Sequence, residues 1–459
     1  MLDLQKVKAL SRDAAAKAAD KAKEGAAAAA AAAKNRKSSK SSSKDGEQYL
    51  VALDIGTEYV KALIGKVSAD GSEIDIIGVG RQHQALSDMQ AGAVSDIGGV
   101  VRNCDEALNK AEQQAGVSVR TAVIGIAGEL VKGTTTTVRV SRKDASKQLD
   151  VAEMERIIKL VQERAESKAR TQMAWELGGK DVEVRLVNSA LVSIEIDGYP
   201  VTNPIGFQGR DVVVQLYTAF APMIHIGALE RVAQELDIDL LAVAAEPFAV
   251  ARSVIGNETN TAFSAVLMDV GGGTTDIAVI NDGGVQGTKM FGIGGRAYTR
   301  SVERDLGVEF DTAEKLKLAM ASRDIRSSVP AAKVKAVEDS LHKTLNVWIS
   351  GVELALGEFS QLDHVPHRIL LCGGGSSLDM LMDALQGSEW YKSLPFARKP
   401  VVQHINPSQV VGIHDRTGNV ADHTYITAMG LLRVGLDTLH YAGSSSGSVK
   451  EKIDRILQT

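Results

Sequence analysis

Asp269 to Val279 reads DVGGGTTDIAV, and Ser264 to Met268 just before it read SAVLM. An apolar strand thus runs into a carboxylate, three glycines, two threonines, a second Asp and another apolar strand. This pattern predicts a β-hairpin with a glycine-rich turn. Glycine lets a backbone approach a phosphate closely and takes positive φ without strain. Gly271, Gly272, Gly273 and Thr274 are therefore candidate phosphate-binding residues. Thr275 offers a further hydroxyl, and Asp269 is placed to hold Mg²⁺ through its water shell. The pattern recurs at Leu53 to Gly65, LDIGTEYVKALIG, which adds Asp54, Gly56 and Thr57, with Asp54 as a second candidate for the metal. A third glycine loop, ILLCGGGSSLDM at Ile369 to Met380, contributes Gly373, Gly374 and Gly375. Each of the three follows an apolar strand.

One glycine triplet is weak evidence for phosphate binding, but two Asp-Gly-Thr hairpins followed by a strand-glycine-helix turn are much stronger. No loop ends in Gly-Lys-Ser/Thr, so none is a P-loop, and none has the spacing G-x-G-x-x-G. With these hairpins the chain resembles the actin-like ATPases, which include actins, heat-shock ATPase chaperones, sugar kinases and bacterial filament proteins. The resemblance implies an α/β, actin-like ATPase fold in which two ribonuclease-H-like halves close on ATP. The first loop would come from one half, and the second loop and the adenosine loop from the other. Lys61 lies seven residues after Asp54, in the register of the first-loop lysine of eukaryotic actins. By that resemblance it contacts phosphate; the alternative is an exposed strand lysine.

A length of 459 residues suggests about three domains, and 44% hydrophobic residues are enough for real cores. Aromatic content of 4% argues against stacking surfaces for nucleic acid, and no specific nucleic-acid partner is expected. The two cysteines, Cys104 and Cys372, sit in apolar contexts and have no metal-ligand spacing. No stretch reaches the 18 or so apolar residues of a membrane span, and the N-terminus lacks a secretory apolar region. Net charge is −5 but uneven: residues 1–45 hold eleven Lys/Arg against five Asp/Glu, a basic arm on an acidic body.

Residues 1–46 form that arm, an Ala/Lys stretch running into RKSSKSSSKDG. It reads as a flexible tail or as a segment drawn to anionic lipid or nucleic acid. Strands are expected at Tyr49–Leu53, Val60–Val67 and Glu73–Arg81. Then come a helix (Asp96–Ala115), strands (Thr121–Ala127, Thr134–Val140), a second helix (Asp150–Lys168) and strands near Glu183–Leu186 and Leu191–Ile196. Here the resemblance narrows. SDMQAGAVSDI, VIGIAGELVKG and VRLVNSALVSIEIDGYPVTNPIGFQGRDVVVQLYTAFAP look like the FtsA family of bacterial cell-division proteins, with Asn203 to Gly206 (NPIG) the most specific part. The likeness covers roughly residues 50–380 and returns at 421–435. It implies an inserted α+β subdomain, placed at 84–208.

Glu246-Pro247 matches the family's connection between halves. A carboxylate there suits general-base or water-positioning work, which makes Glu246 the catalytic candidate; the alternative is a structural helix-start glutamate. MFGIGGRAYTRSVERDLG matches the family's Gly-Gly turn and helix, so Gly294 and Gly295 would border the nucleotide, although Arg296 replaces the usual acidic or polar residue. AEKLKLAM matches the helix whose Glu and Lys flank adenosine, here Glu314 and Lys317 at i, i+3. Residues 389–418 do not follow the family. DHTYITAMGLLRVGLDTL reads as the helix that returns to the first half.

The expected organisation is therefore a tail at 1–46, a first half at 47–83 and 209–261, the insertion at 84–208, a second half at 262–420 and a returning helix at 421–440. A linker and an amphipathic helix would fill 441–459. In SVKEKIDRILQT, Val449, Ile453, Ile456 and Leu457 fall on one helical face, similar to the membrane-binding tip of FtsA proteins though shorter and without Phe or Trp. What the resemblance implies is a protein that binds ATP and Mg²⁺, turns ATP over slowly or conditionally, and assembles into filaments. Its partners would be itself, FtsZ and other division proteins. It would sit peripherally on the cytoplasmic face of the inner membrane, at midcell. A pilus-assembly adaptor like PilM shares the scaffold and is the alternative. A heat-shock chaperone would need a large domain after the last helix, and a sugar kinase an acceptor base that no residue supplies.

Overall fold

A computed structural model describes residues 47–129, 131–255, 263–321, 330–387 and 389–443. The basic arm and the tip residues Val449, Ile453, Ile456 and Leu457 lie outside the described residues. The chain opens with β1 (Tyr49–Ile55), β2 (Tyr59–Val67) and β3 (Ile74–His83), a small hairpin of β4 (Met89–Gln90) and β5 (Ala93–Val94), α1 (Ile97–Ala115) and β6 (Thr121–Ile126). β7 (Lys132–Ser141), α2 (Val151–Glu176), β8 (Val184–Ile196), β9 (Tyr199–Pro200) and β10 (Asp211–Pro222) follow, then α3 (Met223–Glu235), β11 (Asp239–Ala245) and α4 (Glu246–Ile255). A second series runs through β12 (Ala265–Val270), β13 (Thr275–Asn281), β14 (Gly284–Phe291), α5 (Gly295–Leu306), α6 (Phe310–Met320), α7 (Ala331–Gly357), β15 (Arg368–Cys372), α8 (Asp379–Gly387) and β16 (Val401–His404). β17 (Ile413–Asp415) and α9 (Ile426–Gly443) complete it.

The two series repeat one topology. In the first sheet the order is β11-β6-β1-β2-β3, with β17 outside β3; in the second it is β16-β15-β12-β13-β14. Each begins with an antiparallel meander and adds two parallel strands beside its first strand. The first strands, β1 and β12, are central and almost wholly buried, as their unbroken apolar runs require. α1 covers the first sheet at very close range. A Cβ on Gly80 would stand 1.8 Å from the Ala107 carbonyl oxygen, so only glycine fits that point of β3.

The insertion has other boundaries than the sequence suggests. α1 and β6, expected inside it, belong to the first half: β6 pairs in parallel with β1, Val51 to Leu53 against Ala122 to Ile124. β10, expected in the first half, is instead the insertion's central strand, flanked by β7 and β8. Its run VVVQLYTAFAP suits any buried strand, and only long-range pairing decides its sheet. The insertion thus spans β7 to β10, with α2 burying Met154, Ile158 and Val161 against Val138, Ile194, Val214 and Leu216. Its strands extend the second sheet, because β7 pairs with β14 at Gly287–Thr134 and Thr288–Gly133.

The return to the first half also starts before residue 421. The divergent segment puts β16 at the edge of the second sheet and β17 beside β3 in the first. α4 and α9 then cross between the halves. Gly430 permits the crossing, since a Cβ there would be 2.3 Å from the Ala249 carbonyl oxygen. Arg252 of α4 donates to Asp437 of α9 at 3.1 Å and ties the two helices electrostatically, while Arg433 pairs with the same Asp437 within α9 at 2.9 Å. Among the described residues no helix is long and apolar enough to cross a membrane.

Candidate functional site

The three glycine loops meet between the halves. The first joins β1 to β2 and closes at the Ile55–Val60 pair; the second joins β12 to β13 and closes at Val270–Thr275. They abut: a Cβ on Gly272 would be 2.9 Å from that of Glu58, and one on Gly273 would be 2.7 Å from the Thr57 hydroxyl. The third loop follows β15 and leans on the second. Gly373 takes φ +81°, and a Cβ there would lie 2.0 Å from an Asp269 oxygen; one on Gly375 would be 2.9 Å from the Gly271 carbonyl. Gly374 has open space around it.

Four carboxylates are buried here. Asp54 and Asp269 are each next to last in their strands, β1 and β12, Asp276 faces Asp269 across the hairpin and Glu246 heads α4. Lys61 donates to Asp54 at 2.8 Å. Burial works against the Lys61 charge, but the Asp54 carboxylate, and beyond it Asp269, outweigh that and hold its pKa above the ordinary value. Burial raises Asp269, with the Thr427 hydroxyl that donates to it and Lys61 pulling the other way. Asp276 is pushed up to about 8 by burial and by Asp269, against a 3.0 Å hydrogen bond from Thr274. Glu246 is driven well above the carboxylate range by burial, then by Asp54, Asp276 and Asp269.

The glycine pair is held from two sides. A Cβ on Gly294 would stand 2.6 Å from the Gly271 carbonyl oxygen, and the Gly295 N–H donates to that oxygen at 2.9 Å. Lys317 is buried and donates to the Gly295 carbonyl at 3.2 Å and to Thr299 at 2.9 Å. It also pairs with Glu314 at 2.8 Å, and Thr299 bonds Glu314. The Glu-Lys pair expected from the sequence is therefore turned inward onto α5.

Thr275 departs from the expected role. Its hydroxyl donates to the Ile293 carbonyl at 2.7 Å and accepts from the Trp348 indole at 2.9 Å, so it fastens the core. Asp276 and Thr427 escape a reading from the sequence. Asp276 had a signal, because residues paired in register across a hairpin share a face. Thr427 had none, since α9 comes far later in the chain.

The donor set fits a divalent cation. Four buried carboxyls crowd one lysine, and the raised pKa of Asp269, Asp276 and Glu246 reflects the cost of ionising them together in a region of low dielectric, a cost that a cation would offset. Among the described residues no three His, Cys, Asp or Glu side chains converge closely enough to chelate a metal directly. Mg²⁺ retains most of its waters and needs few carboxylates, so Asp269 and Asp54 are the residues that would hold a hydrated ion.

The fold is similar to that of a known structure. The solved PilM–PilN type IV pilus biogenesis complex matches 84% of this chain and 98% of its own with a TM-score of 0.60 at 16% identity, a likeness of fold alone. The FtsA family model, "Cell division protein FtsA", matches residues 266–430. The cell division protein FtsA of Pseudomonas aeruginosa is 25% identical over 425 residues, covering 88% of this chain and 94% of the relative. This chain is FtsA-like. The FtsA of Neisseria meningitidis agrees, at 26% identity over 84% of this chain and 90% of its own. The fold is that of the actin-like ATPases, with the loops of this FtsA-like chain at the junction of the two halves.

Proposed function

We propose that this chain binds Mg-ATP between its halves and acts in cell division as a filament-forming linker between the FtsZ ring and the inner membrane face. The observation that carries the nucleotide reading is the cluster of Asp54, Glu246, Asp269 and Asp276 around Lys61, set between two glycine hairpins. In this reading Gly56, Thr57, Gly271, Gly272, Gly273 and Thr274 cradle the phosphates, and Lys61 meets their charge. Gly294, Gly295, Glu314, Lys317 and Gly373 to Gly375 border the adenosine. Bound Mg²⁺ would neutralise phosphate charge. Glu246, buried in the cleft, orients the attacking water or, in its ionised form, takes its proton. Turnover is slow, and bound nucleotide holds one conformation. Calorimetry with Mg-ATP tests this: Asp269→Ala should abolish binding with the circular dichroism unchanged, and unaltered affinity would sink the assignment.

The division reading rests on the relatives' shared name and on the likeness along most of the chain. A fluorescent fusion in the native cell should form a midcell ring that is lost when FtsZ is depleted; polar foci would sink it. Membrane attachment is assigned to Val449, Ile453, Ile456 and Leu457. A single tip of this size binds weakly, and a filament presenting many binds tightly. Ile453→Glu with Ile456→Glu should release assembled protein from floated vesicles at any salt, whereas removing residues 1–45 should matter chiefly at low salt.

A further inference from the structure

Arg296 takes the place where the sequence departs from the family pattern, and it touches both phosphate loops. Its backbone N–H donates to the Gly272 carbonyl at 2.7 Å, in the second loop. Its side chain crosses to the other half. The guanidinium donates to Glu58 at 2.7 Å and to the Thr57 carbonyl at 2.7 Å, both in the first loop. Longer contacts reach the carbonyls of Met89 at 3.4 Å and Leu86 at 3.5 Å. Glu58 is fixed in turn by His83, 2.7 Å away, and its own carbonyl accepts from the Gln84 N–H at 2.9 Å. Both partners are shielded, with side chains 11% and 20% exposed, which strengthens the pair relative to one in open water.

We infer that Arg296 is a positioning residue that sets the spacing of the two phosphate loops, and that its release from Glu58 and Thr57 opens the cleft for nucleotide exchange. This rests on the nucleotide reading above. The loops abut at Gly272–Glu58 and Gly273–Thr57, so phosphates can enter between them only when they part. Arg296 bridges that line of contact directly. Guanidinium geometry suits the task, because one planar fork serves a carboxylate and a carbonyl at once; lysine offers a single point of charge.

The test uses the full chain and a fluorescent Mg-ATP analogue, chased with unlabelled ATP. Arg296→Ala and Glu58→Gln should each speed analogue release by about tenfold or more, Arg296→Lys by less. The exchange Glu58→Arg with Arg296→Glu restores the ion pair but not the bond to the Thr57 carbonyl, so it should recover part of the slow release, which a purely structural role would not produce. A second readout needs no nucleotide. Spin labels at Gln113→Cys on α1 and Asp383→Cys on α8, both exposed helical sites, report the separation of the halves. Arg296→Ala should lengthen or broaden that distance. An unchanged release rate with an unchanged distance overturns the inference. If wild-type protein fails to bind the analogue, the nucleotide reading falls, and the label distance alone decides whether Arg296 clasps the halves.

Discussion

The Thr427 hydroxyl, in the first turn of α9, donates to the Asp269 carboxylate at the end of β12. The last of the described helices is thereby bonded to the hairpin at the centre of the candidate site. Thr427→Val keeps the shape and removes the donor, leaving a buried carboxylate short of a partner. The expected loss is about 1–3 kcal/mol of unfolding free energy, read by urea titration. Mg²⁺ should recover part of it by taking over the charge.

Divalent metal should matter for stability even without nucleotide. Asp54 holds Lys61 while Asp269, Asp276 and Glu246 crowd the same buried region, so chelation with EDTA should lower the melting temperature and Mg²⁺ should raise it. Above a pH of about 8, where Asp276 is ionised, Asp276→Asn removes one negative charge. Its metal-free form should melt higher than the wild type and gain less from Mg²⁺. A variant that gains as much as the wild type would show that Asp276 does not feel the ion.

Glu246→Gln separates binding from turnover. The amide keeps the size and loses the basic oxygen. Phosphate release should fall by about a hundredfold or more, while the dissociation constant for Mg-ATP stays close to that of the wild type. Equal rates in both proteins would return Glu246 to a structural role.

Acid should weaken the protein through His423. Its ring stacks on His404 at 3.9 Å and its Nε2 lies 3.2 Å from the Ser377 hydroxyl. Burial, and then the His404 charge, lower its pKa from 6.5 to about 4. The unfolded chain therefore takes up a proton first, so stability is intact above pH ~6.5 and is lost as pH falls toward ~4. The melting temperature of the wild type should drop between these values relative to His423→Phe, and parallel curves would contradict this.

Much of the centre was legible because its residues are local. Asp54, Gly56 and Thr57 lie within one turn, as do Asp269 to Thr274, and such turns are encoded by their own glycines. The likeness to actin-like ATPases then joined the two turns. What could not be read is what depends on partners far along the chain. β10 looked like a strand of the first half because its apolar run carries no address. Lys317 reads from the sequence as half of a pair beside adenosine, and its bond to the Gly295 carbonyl, made by tertiary packing, is not legible there. Arg296 looked only like a departure, since nothing near it in sequence discloses Glu58 across the cleft.

The insertion leaves the chain between β6 and β11, so covalently it hangs from the first half, and the Asn188 side chain holds the Ala245 N–H there at 2.7 Å. Its strand β7 is nevertheless hydrogen-bonded to β14 of the second half through two residue pairs only. Tyr217 of β10 stacks flat on Phe248 of α4, with ring centres 5.5 Å apart, and reaches Thr288 of β14 with its hydroxyl at 3.3 Å. Rotation of one half against the other must therefore shear a two-pair seam and slide an aromatic stack. Under such a rotation the insertion would be a lever with that seam as its fulcrum, and a small change of angle at the cleft would become a larger displacement at β9.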